Sequence, residues 1–328
     1  MPGEKRHHYV PQLLLKRFCL GGLLWVFDRE TGTLRQQPPK DTAVEKHRYS
    51  RPSADGKHDT SLEEFLSYIE SKAAGPLEKL GRREELSLEE RFYLSLFLGL
   101  LCLRGPDFEA GIREITDKGG KALLKELNRY GGLEEGAAEK GLDPEAVRDF
   151  IENEKFQIVP DKNYLLSTMT RGAMEVGKHF FVCGWSLGES PKDCCFVTSD
   201  VPYSLISMDP SQPAGLTAPA SIRAIPIAPQ LCIVIGPGPA SLLFSPIPRD
   251  LVREINRDIA MGSDRFVFAR DRAQLAALAT RNRLGEWRRS ERVHLQRVSK
   301  DGKSYILVAN KETPDQPPAA TPGRPRRL

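Results

Sequence analysis

Leu23-Leu24-Trp25-Val26-Phe27-Asp28-Arg29-Glu30-Thr31-Gly32-Thr33-Leu34-Arg35-Gln36-Gln37 is the stretch that decides the fold class of this chain. Two β-like runs flank the turn signal Asp28-Arg29-Glu30-Thr31-Gly32, so the segment reads as a hairpin. Comparable runs return only late: Phe180 to Trp185, Cys195 to Thr198, Ile222 to Ile225, Leu231 to Ile235 and Arg265 to Phe268. A terminal hairpin of 291–299 with 303–309 follows, turned by Lys300-Asp301-Gly302-Lys303. Strands at both ends with helices between them favour α+β over a βαβ alternation. The expected architecture is a mainly helical middle with one mixed or antiparallel sheet, built from the N-terminal hairpin and the C-terminal strands.

Working outward, Arg6-His7-His8-Tyr9-Val10-Pro11-Gln12 precedes a short helix from Pro11 to Phe18, and His47-Arg48-Tyr49 lies in a second extended piece. Ser61 with Glu64 reads as a capping box opening a helix that Gly75-Pro76 breaks or kinks. Ser87 with Glu90 caps the next helix, which runs to about Arg104 and is apolar on most of its surface, hence central and buried. Residues 107–156 are charged and punctuated by Gly119-Gly120, Gly131-Gly132 and Asp143-Pro144, which predicts three short amphipathic helices. Further helices are expected from Asn163 to Phe181, Arg249 to about Met261 and Asp271 to Thr280, with Pro-rich loops at 209–219, 236–239 and 244–248. The domain plan is a single α+β domain over 7–310, a helical insert at about 107–160, and a disordered Pro/Arg-rich tail over 311–328.

The 328 residues carry a net charge of +4, and the tail from Lys311 on supplies part of it. A near-neutral body argues against a surface-wide nucleic-acid platform. The six cysteines (Cys19, Cys102, Cys183, Cys194, Cys195, Cys232) include no C-x-x-C pair, so they read as reduced thiols, not as a zinc or disulfide framework. The longest apolar run, Phe92 to Leu103, is too short to span a bilayer, and Met1-Pro2-Gly3-Glu4-Lys5-Arg6 lacks a signal-peptide core. A cytoplasmic protein without membrane partners is expected.

His8-Tyr9-Val10-Pro11-Gln12 with Leu15 and Phe18, then Trp25-Val26-Phe27-Asp28-Arg29, Glu63, Ile69-Glu70, Arg104, Thr198-Ser199-Asp200 with Pro202, Ile225-Pro226-Ile227-Ala228-Pro229 and Ile255-Asn256 carry a resemblance. The chain resembles a widespread microbial domain family of unknown function, whose members open with His-Tyr-Val-Pro-Gln and carry a later Thr-Ser-Asp-x-Pro motif. The similarity spares only the 107–160 insert and the tail. It implies no activity. Val201 departs from the family pattern, which often has Asn there.

The candidate site residues each admit two readings. Of His7 and His8, one imidazole could bind metal or act as acid/base; equally, a buried histidine could anchor the terminus. Asp200 follows a β run and could bind a cation or orient a histidine, or could form a turn before Pro202. Glu63 and Glu70 are two helical turns apart and share a face that could add carboxylates to a site, or be solvated. Arg104 could clamp a phosphate, or complement the end of its helix. Asn256, mid-helix, could contact a site or make a buried amide bond. Arg288 and Arg289 belong to an arginine group around Trp287 that could bind phosphates with base stacking. Pro322-Gly323-Arg324-Pro325-Arg326-Arg327 resembles the Gly-Arg-Pro core of minor-groove hooks.

No P-loop, G-x-G-x-x-G, G-x-S-x-G or H-E-x-x-H is present. The gathering of His, Asp, Asn and Arg in otherwise apolar segments makes the leading expectation a metal-assisted hydrolase of phosphodiesters or nucleotides. Its catalytic residues would be His8, Asp200 and Asn256. A divalent metal would sit among His7, His8, Asp200, Glu63 and Glu70, with Arg104, Arg288 and Arg289 on the substrate. The alternative is a non-catalytic module that binds a ligand, or nucleic acid through the 281–297 arginines and the tail.

Overall fold

The computed structural model describes residues 6–52, 58–209, 211–286, 294–300 and 303–309. In chain order the elements begin with β1 (Arg6–His8), α1 (Gln12–Arg17), β2 (Leu24–Asp28), β3 (Thr33–Gln37), β4 (Val44–Lys46), β5 (Arg51–Pro52) and β6 (His58–Asp59). The helical middle is α2 (Ser61–Gly81), α3 (Leu88–Leu103), α4 (Pro106–Arg129), α5 (Glu134–Glu139), α6 (Pro144–Glu152) and α7 (Lys162–Val182). Then come β7 (Cys183–Glu189), β8 (Thr198–Ser199), β9 (Ser204–Ser207), β10 (Ser221–Ala228), β11 (Leu231–Pro239) and β12 (Ser241–Pro246). The last elements are α8 (Arg249–Gly262), β13 (Phe266–Ala269), α9 (Arg272–Arg281), β14 (His294–Lys300) and β15 (Lys303–Ala309). The chain divides into two compact units, Met1–Glu109 with Asp161–Trp287, and Ala110–Pro160 with Arg288–Leu328.

In the first unit the N-terminal hairpin meets a late strand. β2 pairs antiparallel with β3 and with β13, Phe27 opposite Val267, and β13 continues to β8, giving the order β3-β2-β13-β8. The other long strands form a second sheet, β12-β7-β11-β10-β9, antiparallel except for the parallel β12–β7 pair. The α+β class holds, and the single sheet becomes two. Both apolar clusters draw on both sheets: Leu24, Val26 and Phe268 of the first sheet join the larger cluster, and Ala224 and Cys232 of the second join the smaller. Val197, Val252, Ile255, Ile259 and Val267 also lie in the smaller cluster. Leu98, Phe180, Trp185, Ile225 and Ile233 lie in the larger.

Several local readings change. The helix after Thr60 continues through Pro76, and Ser61 forms no capping box. The box at Ser87 and Glu90 is present in full, each side chain bonding the other's backbone N–H. His47-Arg48-Tyr49 is a turn, and the strand lies just before it in β4. The loops placed at 236–239 and 244–248 are largely strand, and β9 and β12 are additional. Pro246 is tolerated because it ends an edge strand, where no ladder N–H is required.

α3 is the buried centre of the first unit and packs against α7 with unusual closeness. A Cβ on Gly99 would lie 2.3 Å from the Ala173 carbonyl oxygen and 2.8 Å from Gly177 N. A Cβ on Gly177 would lie 2.9 Å from Leu96 Cα. Only hydrogen fits at both positions, so the two backbones touch.

In the second unit the three expected helices are present as α4, α5 and α6, but α4 is long and runs through Gly119-Gly120. Ile112, Ile115, Leu123 and Leu127 keep helical spacing across Gly119-Gly120, and glycine costs only about 1 kcal/mol per residue in a helix. Asp117 accepts the Ile158 N–H at 2.7 Å, and Phe150 stacks on Phe156. β14 and β15 form the expected hairpin, with Val298 opposite Tyr305. The tail over 311–328 lies outside the described residues. No helix among the described residues is long and apolar enough to cross a membrane.

Candidate functional site

β1 pairs with β4, His7 opposite Glu45 and His8 opposite Val44. Successive strand residues face opposite ways, so the two imidazoles separate: His7 is buried and His8 half-buried. His7 Nδ1 accepts the Tyr49 N–H at 2.9 Å, and its Nε2 lies 3.2 Å from Glu63 Oε2. An accepting Nδ1 puts the proton of the neutral ring on Nε2, toward the carboxylate. The ring also stacks on Tyr49 at 5.6 Å between centroids.

Tyr49 is the hub of this corner. Its hydroxyl donates to the Arg104 carbonyl and accepts from Arg104 Nε. Arg104 ends the buried α3, and its guanidinium donates to Glu70 Oε1 at 2.6 Å and to the His8 carbonyl. Burial opposes its charge, but Tyr49 and Glu70 outweigh burial and hold its pKa above the ordinary arginine value. Arg48 lies over the rings of Tyr9 and Tyr49 and pairs with Glu45 and Glu109. Glu63 and Glu70 do share a helix face, and each meets a different buried cation or imidazole there.

His8 Nε2 lies 3.2 Å from the Lys40 carbonyl, and Gln12 Nε2 is 3.4 Å from its Nδ1. Burial lowers its pKa, partly offset by the Lys40 carbonyl. Both ring nitrogens are therefore engaged in the neutral form.

Asp200 follows β8 in full burial, with both oxygens turned to main chain. Oδ1 accepts from Asp264 N at 2.9 Å, and Oδ2 accepts from Arg265 N and Phe266 N at 2.7 and 2.8 Å. Burial pushes its pKa up to about 7 against the pull of those three amides. Its backbone N–H donates to the Phe266 carbonyl, so the residue clasps β8 to the start of β13. Val201, at the family's frequent Asn position, is buried. Asn256 on α8 accepts the Val197 N–H at 2.9 Å and donates to the Cys195 carbonyl at 2.8 Å, lacing that segment to the helix.

The residues expected to bind metal are thus not brought together. His7 pairs with Glu63, Glu70 with Arg104, His8 with Lys40 and Gln12, and Asp200 with amides. Among the described residues no group of three or more His, Cys, Asp or Glu side chains is arranged to hold an ion. Arg104, expected on a substrate phosphate, is buried and saturated by Glu70, Tyr49 and a carbonyl. Arg288 and Arg289 lie outside the described residues.

Other polar groups carry architecture that sequence reasoning passed over. Arg29 donates to the carbonyls of Met261 and Ser263 at the end of α8. Arg91 holds the carbonyls of Phe181, Cys183 and Ser241. Arg223 holds those of Ser221, Gly215 and Ala218. A lone arginine inside an apolar strand, as in Ile222-Arg223-Ala224-Ile225, is the available signal. Asp28 binds Arg265 through both oxygens, with Arg35 alongside. Burial opposes its charge, but these guanidinium bonds win and hold its pKa below the usual carboxylate value.

An open groove of about 430 Å³ lies between the first turns of α2 and the middle of α7. Leu62 and Phe65 give it an apolar side; Ser61, Ser167, Thr170 and Arg171 give it hydroxyls and one cation. A second opening, lined by Arg48, Tyr49, Gly105 and Met169, has a volume of only about 20 Å³, room for a water molecule.

A model of one protein family matches residues 6–273; its description is "Protein of unknown function (DUF4238)". No curated protein and no solved structure matches the chain.

Proposed function

Because the chain belongs to the DUF4238 family, whose description assigns no activity, we propose a function from geometry: a non-catalytic module that binds a small amphipathic anion in the α2–α7 groove. The groove carries the proposal, since it sets the apolar surface of Leu62 and Phe65 beside the Arg171 guanidinium and the hydroxyls of Ser61, Ser167 and Thr170. An apolar body would rest on Leu62 and Phe65, and an anionic group would meet Arg171 and the hydroxyls of Ser61 and Ser167. The engagement of both histidines and of Asp200 by structural partners supports binding over acid–base chemistry there. The six free thiols suit a reducing compartment such as the cytoplasm.

Fluorescence titration with anilinonaphthalene sulfonate, an apolar ring system bearing one anion, tests the site. One molecule should bind per chain, with affinity reduced about tenfold by Arg171→Ala and by Phe65→Ala. Wild-type affinity in both variants refutes the assignment.

One observation favours the hydrolase reading. The Glu63 side chain is 33 % exposed and lies beside the buried His7, an arrangement that could present an oriented carboxylate to a phosphodiester or a divalent metal. Turnover of bis-nitrophenyl phosphate with magnesium or manganese, abolished in Glu63→Gln, would establish it; no turnover by the wild type removes it. Nucleic-acid binding through Arg288, Arg289 and the tail has its own test. Affinity that falls steeply with salt and disappears without residues 311–328 would support it.

A further inference from the structure

β12 ends the order of the five-stranded sheet, and among the described residues no strand pairs with its outer edge. The outward backbone groups there could template another strand, the Ser241 carbonyl excepted if it points that way, since Arg91 holds it. Proteins usually guard such an edge with lysines, proline or inward charges. Here the only such guard is proline, Pro246 at the end of β12; residues 224–248 contain no Asp, Glu, Lys or Arg. The edge also carries apolar surface, with Leu243 64 % and Phe244 39 % exposed.

The register sets the faces. Leu242 and Phe244 lie opposite Trp185 and Leu187, both buried, so they share the core side of the sheet. Leu243 lies opposite Ser186 and takes the other face. We propose that β12 is the docking edge for a second copy of this chain, antiparallel about a two-fold axis through Leu243. An axis normal to the sheet keeps each face on its own side, so opposed residues must share a face. The axis therefore falls on a residue. Centred on Leu243, it sets Leu243 against Leu243 of the second copy, Leu242 against its Phe244, and Ser241 against its Ser245.

That register covers the exposed flank of Phe244 with an aliphatic side chain. It also places Pro246 beyond the paired span, where its missing N–H does no harm. The neutrality of the edge selects the occupant: a charged partner finds no counter-charge, while an identical strand meets no repulsion. Two-fold pairing closes on itself and gives a ten-stranded sheet without open-ended growth. A single strand edge is a small contact by the standard of stable interfaces, so the dimer should dissociate in the micromolar range.

Sedimentation of the full chain over that range tests the proposal. The wild type should pass from monomer to dimer as concentration rises. Leu243→Lys sets two ammonium groups face to face and should weaken the dimer at least ~10-fold. Mixing Leu243→Lys with Leu243→Glu should restore it, which also shows that the lysine chain folds. Leu243→Cys should form an inter-chain disulfide on oxidation, because the two residues oppose each other. A wild type that stays monomeric, including one that binds an unrelated extended peptide at this edge, overturns the proposal. So does a dimer indifferent to Leu243→Lys, or a Lys/Glu mixture that stays monomeric.

Discussion

Replacing Gly99 by alanine sets two known effects against each other. Alanine favours the interior of a helix over glycine by about 1 kcal/mol, so propensity alone predicts a more stable protein. The added methyl, however, would sit 2.3 Å from the Ala173 carbonyl oxygen and 2.8 Å from Gly177 N, both on the facing backbone. Carbon needs roughly 3.5 Å from such atoms, and no side-chain rotation can supply it. α3 and α7 must separate by about an ångström, opening the core on either side. Overpacking costs about 1–3 kcal/mol where neighbours can adjust. Against two backbones the upper figure applies, leaving a net loss of about 2 kcal/mol. The shift also moves Arg104, at the end of α3, relative to Glu70 and the His8 carbonyl. Urea unfolding should show a lower midpoint with unchanged slope. Gly119→Ala is the control: the same substitution within a helix, with nothing within 4 Å of the new methyl, should raise stability by up to ~1 kcal/mol. A Gly99→Ala midpoint at or above that of the wild type refutes the backbone-contact argument.

His7→Phe should preserve the stack on Tyr49 but leave the buried Tyr49 N–H without its acceptor, destabilising the protein by about 1–3 kcal/mol in the same assay; an unchanged midpoint would mean that the imidazole nitrogen carries no structural load. Asp200 titrates near 7 when folded and lower when unfolded, so the folded state binds the extra proton between the two values. Its stability contribution is fully present below the unfolded value and is lost as pH rises through about 7, with a slope of at most ~1.4 kcal/mol per pH unit. Asp200→Asn should flatten stability against pH over that window, and a wild type whose stability rises there contradicts the assignment.

The legible parts of this fold were those written locally. The hairpin of β2 and β3 carries its own turn, and Ser87 with Glu90 specifies a helix start within four residues. Gly119-Gly120 misleads because glycine weakens a helix without ending it when apolar residues on both sides keep one face. Pro246 misleads because proline excludes only the inner positions of a sheet. Around the candidate site, the limit is distance along the chain. The alternation of a strand is enough to separate His7 from His8, but only when residues 6–8 are known to be a strand. That requires β4, almost forty residues on. Nothing near Asp200 announces that its partners are the amides of 264–266, and nothing near Arg104 announces the carbonyl of His8.

The pairing of β2 with β13 also has a history in time. The ribosome releases Val26 and Phe27 roughly 240 residues before Phe266–Ala269, which at 5–20 residues per second is about 12–48 s. Throughout that interval the inner margin of the hairpin is an apolar ribbon with nothing to bond to. The last ladder of this sheet can therefore close only after most of the chain has left the ribosome.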